Sequence, residues 1–348
     1  MVDKRNIILS DESLIAALRK INDIGSGPLV LFVVDSYGKM VGTLTDGDSR
    51  RALVAGASVT DKVEKVMNRN FRFISIEDAG NVEKIQRQKE MQMKLVPILG
   101  KDRRIIDVID LHRFKTRLPV DAVLMAGGKG ERLRPLTEKT PKPLLPVGDK
   151  AIIDYNVDNL ISYGVFHIFV TVNYLREQIE EHYLSPRKGV KVQTVREPKY
   201  LGTIGSVKFI ERFHNDTILV MNSDLFTNID FEDFYLHFTK NEADMSVAAV
   251  PYNISIPYGI LDLEGRRIKG LLEKPTYNHY ANAGIYLVRR RVLDEIPEGE
   301  FFNATDLVEK LIKEGKKVIR YPLNGTWIDI GNPQEYQKAK DLVKHIRF

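Results

Sequence analysis

The sequence predicts an α/β protein with a doubly wound, mostly parallel sheet, preceded by a smaller α+β region. Three observations predict it. From Asp121 onward, short apolar β-rich runs alternate with helical stretches, the pattern of successive βαβ units. One of those runs empties into a glycine-rich loop bordered by basic residues. Residues 1 to about 117 have a different texture and contain an internal repeat of about sixty residues.

The 348 residues are enough for two or three domains with sizeable cores. Cysteine is absent, which excludes disulfides and thiolate metal sites. The chain has neither an N-terminal apolar h-region nor an eighteen-residue apolar stretch, so no membrane span is expected and the cytoplasm is the default location. The net charge of +5 suits polyphosphate substrates, although a generally Lys-rich surface is the better account of it. The 52 Lys and Arg are interspersed with 47 Asp and Glu, and nucleic acid is not an expected partner.

The first third reads as strand, tight turn, strand and capped helix start over Leu29 to Arg51, with the turn at the Asp35 to Gly38 cluster. A weaker copy spans Lys94 to Arg113. Helical stretches at Asp11 to Ile21 and Asn81 to Met91 precede the two copies. The first copy, with Gly42, Thr45 and Asp48 in a Gly-x-x-Thr-x-x-Asp pattern, resembles a CBS motif, and the two together resemble a tandem CBS pair (about 1–64 and 65–117). That resemblance implies that Thr45 and Asp48 hold the phosphate and ribose of an adenine nucleotide. The second copy departs from it, with Asp107, Asp110 and Arg113 at the corresponding positions, so one conventional nucleotide site is expected at most. A pair used only for association or packing is the alternative, and such pairs favour a homo-oligomer. The segment from Phe114 to Val120 is too brief for a floppy tether, so the two domains are expected to touch.

The second domain, 121–348, opens with Asp121-Ala-Val-Leu-Met125-Ala126-Gly127-Gly128-Lys129-Gly130-Glu131-Arg132, followed by Pro141-Lys142-Pro143. A buried strand that ends in glycines exposes backbone N–H groups to phosphate oxygens, with Lys129, Arg132, Arg134 and Lys142 to neutralise the charge. The loop matches neither a Walker A ending nor the Gly-x-Gly-x-x-Gly spacing. Alone, it suits a plain tight turn just as well. Strands are expected at Ile168 to Val172, Val190 to Val195, Thr217 to Met221 and Met245 to Val250. Helices are expected near Ile152 to Tyr163, Leu175 to Tyr183, Ser206 to Phe213, Phe231 to Lys240 and Gln334 to Phe348. Asp224 follows one strand and Asp329 sits among apolar residues before a glycine turn; lone aspartates in such places are commonly turn or helix caps.

The glycine loop taken with Pro-Lys-Pro-Leu-Leu-Pro closely resembles the signature of the sugar-1-phosphate nucleotidyltransferases, over residues 121 to about 340. These enzymes join a nucleoside triphosphate to a sugar 1-phosphate and release pyrophosphate. The resemblance implies a Mg²⁺ cofactor on Asp224 and Asp329, because Asn222-Ser-Asp224 and Trp327-Ile-Asp329-Ile-Gly-Asn-Pro333 look like the family's two metal-carboxylate motifs. It places Arg132 and Lys142 in catalysis. It puts the nucleotide on Ala126, Gly127, Gly128, Gly130, Glu197, Gly202 and Thr203, and the sugar phosphate on Gly259, Glu273, Lys274 and Asn282.

Where uridylyl and thymidylyl members usually carry Gln to face the base, this chain has Glu197. An acceptor-only carboxylate suits the N1–H and amino donors of guanine, so GTP is the expected nucleotide; a solvated loop acid is the alternative. A CBS pair ahead of this domain is similar to the arrangement in bacterial guanylyltransferases that make GDP-glucosamine for surface glycans in the legionaminic acid route. GDP-mannose and GDP-heptose enzymes compete with that reading. The runner-up is a thymidylyl- or uridylyltransferase for glucose 1-phosphate. A non-catalytic nucleotide sensor would be expected to have lost Arg132, Lys142, Asp224 or Asp329. No hexapeptide repeat follows, and a bifunctional acetyltransferase is not expected.

Overall fold

The computed structural model describes residues 4–25 and 27–344, and the chain divides into two compact units, Met1–Leu118 and Pro119–Phe348. In the first unit, β1 (Ile7–Leu9) lies parallel to β2 (Val30–Val34), which pairs antiparallel with β3 (Met40–Thr45). The connecting helix α1 (Leu14–Ile24) starts after Ser13, whose side chain accepts from the Ala16 amide, and buries Leu14, Ala17 and Ile21 at helical spacing. Helix α2 (Asp46–Val54) follows β3, and α3 (Val63–Val66) leads to the second copy. There, β4 (Ile74–Ser75) lies parallel to β5 (Leu95–Leu99), joined through α4 (Val82–Glu90), and β5 pairs antiparallel with β6 (Ile105–Asp110). The two copies thus share one topology. They part after the third strand, where the Asp110 carboxylate accepts from the His112 and Arg113 amides and turns the chain without starting a helix.

The second unit runs β7 (Val120–Ala126), a short pair β8 (Pro146–Val147) and β9 (Lys150–Ala151), α5 (Ile152–Ser162), β10 (His167–Val172), α6 (Arg176–His182) and β11 (Val192–Arg196). It continues with β12 (Thr217–Asn222), β13 (Leu225–Thr227), α7 (Phe231–Lys240), β14 (Met245–Ser255), β15 (Ile260–Glu264), β16 (Arg267–Leu272) and β17 (Thr276–Arg289). Helix α8 (Ala304–Lys313), β18 (Val318–Pro322), β19 (Trp327–Asp329) and α9 (Pro333–Leu342) complete it.

Seven strands form one sheet in the order β11-β10-β7-β12-β17-β14-β18. Strands β11, β10, β7 and β12 are parallel neighbours, β17 alone runs against β12 and β14, and β18 is parallel to β14. This is the mostly parallel sheet expected from the alternation. Parallel neighbours require crossovers, and α5 and α6 supply them. Strand β7, central among the parallel strands, is buried throughout save for Met125, as a strand covered on both faces must be.

Two expected elements differ. No α-helix forms over Ser206 to Phe213; a 3₁₀ turn at Gly205–Phe209 gives way to extended chain. Within it the Val207 amide donates to Ile204 and the Ile210 amide to Val207, while the chain on either side is tied elsewhere: the Ile204 and Gly205 amides donate to the Phe302 carbonyl, and the buried Asp121 carboxylate accepts from the His214 and Asn215 amides. Strand β14 outruns its expected end at Val250, because β17 pairs with it as far as Ser255. The closing helix spans Pro333–Leu342, with positions 345–348 outside the described residues. Among the described residues, no helix is long and apolar enough to cross a membrane.

Candidate active site

A cleft of about 680 Å³ opens where β7, β10, β11 and β12 end, the position at which open α/β sheets take ligands. Its floor begins with Gly127. A Cβ at Gly127 would stand 2.6 Å from the Glu197 carboxylate, so a larger residue there would displace the Glu197 side chain. Gly130 takes φ +62°, and a Cβ there would crowd Thr137 and Lys142 at 3.0 Å. The loop is held in this shape by the Thr137 hydroxyl, which donates to the Gly130 carbonyl at 2.8 Å. Ala126, Gly127, Gly128, Gly130 and Arg132 all line the cleft.

Lys142 enters from a single 3₁₀ turn, Lys142–Leu144, that starts from extended Pro141 and carries Pro143 inside it. It is only 8 % exposed. Its ammonium contacts the Asp224 carboxylate and lies 4.0 Å from Asp329. The two acids come from distant parts of the sequence and are brought together by β13 and β19, which pair antiparallel with Leu225 opposite Asp329. The Ile330 amide also donates to the Asp224 carbonyl at 3.2 Å. Buried Asn156 of α5 donates to the carbonyls of Ser223 and Leu225, at 3.4 and 2.8 Å, and so grips the backbone on both sides of Asp224. Trp327 ties β19 to β17 by donating from its indole to the Ala283 carbonyl at 2.9 Å.

Burial pushes the Asp329 carboxyl above its ordinary range, and the nearby Asp224 adds to it; Lys142 and Arg132 pull the other way. Arg132 lies against Gly331, where a Cβ would come within 3.0 Å of its guanidinium. Four charged groups thus converge beside the glycine loop. Among the described residues no group of three or more His, Asp or Glu side chains could hold a metal. Two carboxylates with room for phosphate oxygens fit Mg²⁺, which takes one or two protein carboxylates.

Glu197 follows β11 and is 3 % exposed, so it is not a solvated loop acid. One carboxylate oxygen accepts from the Leu201 amide at 3.4 Å. Burial raises the Glu197 carboxyl above its usual range, opposed by that amide and by Asn173. Gly202 adopts φ +79°, and a Cβ there would stand 2.6 Å from the Phe302 carbonyl. Thr203 is pinned through its amide to Asn303 and through its hydroxyl, which accepts from Ala304 at 2.8 Å.

The structure does not bring Gly259, Glu273 and Lys274 to the lining of this cleft. They sit on an exposed ribbon, where a Cβ at Gly259 would come within 3.1 Å of the Glu273 carboxylate. Asn282, at the ribbon's base, donates to the Tyr286 hydroxyl and accepts from the Gly284 amide. Gly284 in turn abuts the Asn222 side chain of the cleft. In the first unit Thr45 and Asp48 bond to each other in the capping box of α2. Burial works against ionisation of Asp48, but the Thr45 hydroxyl and amide and Arg51 hold its carboxyl below the ordinary range. Thr45 lines a cavity of about 690 Å³ with Asp46 and Gly47, but Asp48 is not in its lining and faces a separate hollow with Arg51 and Lys65, so the structure does not bring Thr45 and Asp48 to one cavity as expected.

Sequence reasoning missed Asn156, Asn173 and Tyr200 and quoted Asn222 only as part of a motif. The end of β10 could have yielded Asn173 by the strand-terminus rule; nothing local marks Asn156.

The nucleotidyl transferase family model matches residues 121–345, well over half the chain. The chain belongs to that family. This nucleotidyl transferase is 30% identical over 223 residues to a Sulfolobus acidocaldarius protein described as a mannose-1-phosphate guanyltransferase, covering 63% of this chain and 62% of the relative. It is 29% identical over 239 residues to a UTP–glucose-1-phosphate uridylyltransferase of Synechocystis, covering 63% and 62%. A Bacillus anthracis protein described as a glucose-1-phosphate thymidylyltransferase, solved with sucrose, matches at a TM-score of 0.53 and 26% identity, over 66% of this chain and 97% of that one. The nucleotidyl transferase spans about 62% of the length of both curated relatives.

Proposed function

We propose that the chain transfers a nucleotidyl group from a nucleoside triphosphate to a sugar 1-phosphate, releasing pyrophosphate. The observation that carries this reading is the convergence of Arg132, Lys142, Asp224 and Asp329 beside the Gly127 loop. A phosphate oxygen of the sugar 1-phosphate attacks the α-phosphorus; the new P–O bond replaces the bond to pyrophosphate. A phosphate nucleophile needs no general base, so placement and charge neutralisation do the work. Arg132 covers the triphosphate, Lys142 meets the α-phosphate, and Asp224 and Asp329 hold Mg²⁺, which supplies further neutralisation of phosphate charge. Lys274, Glu273, Asn282 and Gly259 serve the sugar phosphate once the ribbon that carries three of them meets the cleft.

GTP is the proposed donor, supported by a buried Glu197 that lines the cleft. The product is then a GDP-sugar of the glucosamine or mannose type. A uridylyl- or thymidylyltransferase for glucose 1-phosphate is the second reading, favoured by the names of the Synechocystis and Bacillus relatives. Pyrophosphate release with Mg²⁺, crossing GTP, UTP, dTTP and CTP against glucosamine, mannose, glucose and heptose 1-phosphates, separates them. Turnover confined to GTP is the expected result. Glu197→Gln should then lower kcat/KM for GTP by roughly 10- to 100-fold relative to UTP, the range of one hydrogen-bond set to a charged group. An unchanged GTP preference removes Glu197 as the base reader, and silence across all pairs favours a nucleotide sensor.

The first unit is read as a tandem CBS pair whose ligand is an adenine nucleotide, supported by its doubled three-stranded topology and the cavity at Thr45. Titration of the whole chain with AMP and ATP should show one site that Asp48→Ala weakens; no binding, or binding indifferent to that change, leaves the pair a packing module.

A further inference from the structure

Glu197 does not stay above its own strand. In the sheet β10 lies between β11 and β7, yet the carboxylate that follows β11 comes so near Gly127, after β7, that a Cβ there would stand 2.6 Å from it. The side chain therefore reaches across the end of β10. The residue at that end is Asn173.

Strands β10 and β11 run in parallel register with Val172 beside Arg196, and the Glu197 amide donates to the Val172 carbonyl at 2.9 Å. Asn173 and Glu197 are thus the next residues out on neighbouring strands, which lie about 5 Å apart. Both line the cleft. The Asn173 amide acts on the carboxylate as a hydrogen-bond donor and favours its charged form. That contact decides which way round the amide stands. A carboxylate only accepts, so the NH₂ end turns toward Glu197 and the carbonyl end away. One N–H serves the acid, and the other is left for a ligand. Asn156, by contrast, spends its amide on the carbonyls of Ser223 and Leu225, and Asn222 stands on β12, two strands away.

We infer, given the reading of Glu197 proposed above, that Asn173 is a second reader of the base: its remaining N–H donates to the O6 carbonyl of guanine while the Glu197 carboxylate accepts from N1–H and the 2-amino group. The two side chains then present donor, acceptor, acceptor, the order in which cytosine meets guanine in a base pair. Uracil and thymine meet that order at two positions and set a carbonyl against a carboxylate oxygen at the third. Adenine sets its amino group against the N–H and its unprotonated N1 against the acid; cytosine mismatches at all three. Without Asn173, the O6 acceptor would lie beside a carboxylate with no donor facing it, a costly arrangement in a cleft.

The value of kcat/KM for GTP, 6-thio-GTP and ITP, measured on the full-length chain with the better of glucosamine and mannose 1-phosphate as acceptor, separates the two readers. 6-Thio-GTP keeps N1–H and the 2-amino group but carries sulfur, a weak acceptor, in place of O6; ITP keeps O6 and N1–H and lacks the 2-amino group. The parent should favour GTP over 6-thio-GTP by roughly 10-fold, and Asn173→Ala should cut that preference to about 2-fold by slowing GTP. The GTP-to-ITP ratio should stay as it was, because Glu197 still reads the 2-amino group. Asn173→Asp keeps the shape, removes the donor and should behave alike; it serves alone if circular dichroism shows the alanine variant unfolded. A parent that uses GTP and 6-thio-GTP equally, or variants that keep the parent's preference, overturn the inference. A uniform fall with all three nucleotides makes Asn173 a prop for Glu197 rather than a contact of the base, and overturns it as well. Failure of the Glu197 reading is distinct: a parent that turns over UTP or dTTP but not GTP removes both readers before any Asn173 variant is made.

Discussion

Lys142→Ala should lower turnover by about 100-fold or more while leaving the fold in place, the usual cost of removing one preorganised charge from a phosphoryl-transfer site. The side chain is nearly buried, and its ammonium is the built-in cation for the Asp224 and Asp329 carboxylates. Taking it away removes the charge proposed to meet the α-phosphate and leaves Arg132 as the remaining cation beside Asp329. Two measurements check this. Single-turnover pyrophosphate release should fall with circular dichroism unchanged, and Mg²⁺ should raise the melting temperature of the variant more than that of the parent, since a metal now replaces the missing cation. Turnover near that of the parent would remove Lys142 from the chemistry.

Asp224→Asn should lower turnover by roughly 100- to 1,000-fold, because the amide keeps the shape of the carboxylate but not its charge. The shape matters here. Asn156 and β13 fix the backbone on either side of Asp224, so the variant is expected to fold and to keep the loop in place. Mn²⁺ binding, followed by electron paramagnetic resonance, should weaken in parallel with turnover. Undiminished Mn²⁺ binding would assign the metal elsewhere and leave Asp224 as a partner of Lys142 alone.

Much of this site was legible in sequence because it lies where strands end. The glycine loop, Glu197 and Asp224 each follow an apolar run, and parallel strands in one sheet must deliver their ends to one crevice. Lys142 and Asp329 were legible through short proline- and glycine-bounded motifs. What escaped depends on packing between distant segments. Asn156 lies inside a helix that is buried on all sides, where no periodicity separates an amide that grips a loop from one that merely fits. The helix expected over Ser206 to Phe213 failed for a related reason: the amides on either side of it, Ile204 and Gly205 before and His214 and Asn215 after, bond the Phe302 carbonyl and the Asp121 carboxylate, partners about a hundred residues away that local propensity cannot see. The ribbon bearing Glu273 and Lys274 has the alternation of a half-covered sheet, but alternation does not say what covers it.

The pairing of β13 with β19 has a consequence for how this protein can vary. It is a clasp of three residue pairs, and everything between its halves, from α7 through the ribbon to β18, is a closed excursion that begins and ends at the same point. The parts of this excursion outside the main sheet, the β15–β16 ribbon above all, can be lengthened, shortened or rebuilt to recognise a different acceptor while the two carboxylates keep their spacing, since the length of a closed loop costs little once its ends are fixed. A one-residue slip within the clasp would turn Asp329 to the opposite face and disarm the site at once. Diversity in what the protein accepts can therefore accumulate inside the clasp, while the clasp keeps Asp224 and Asp329 together.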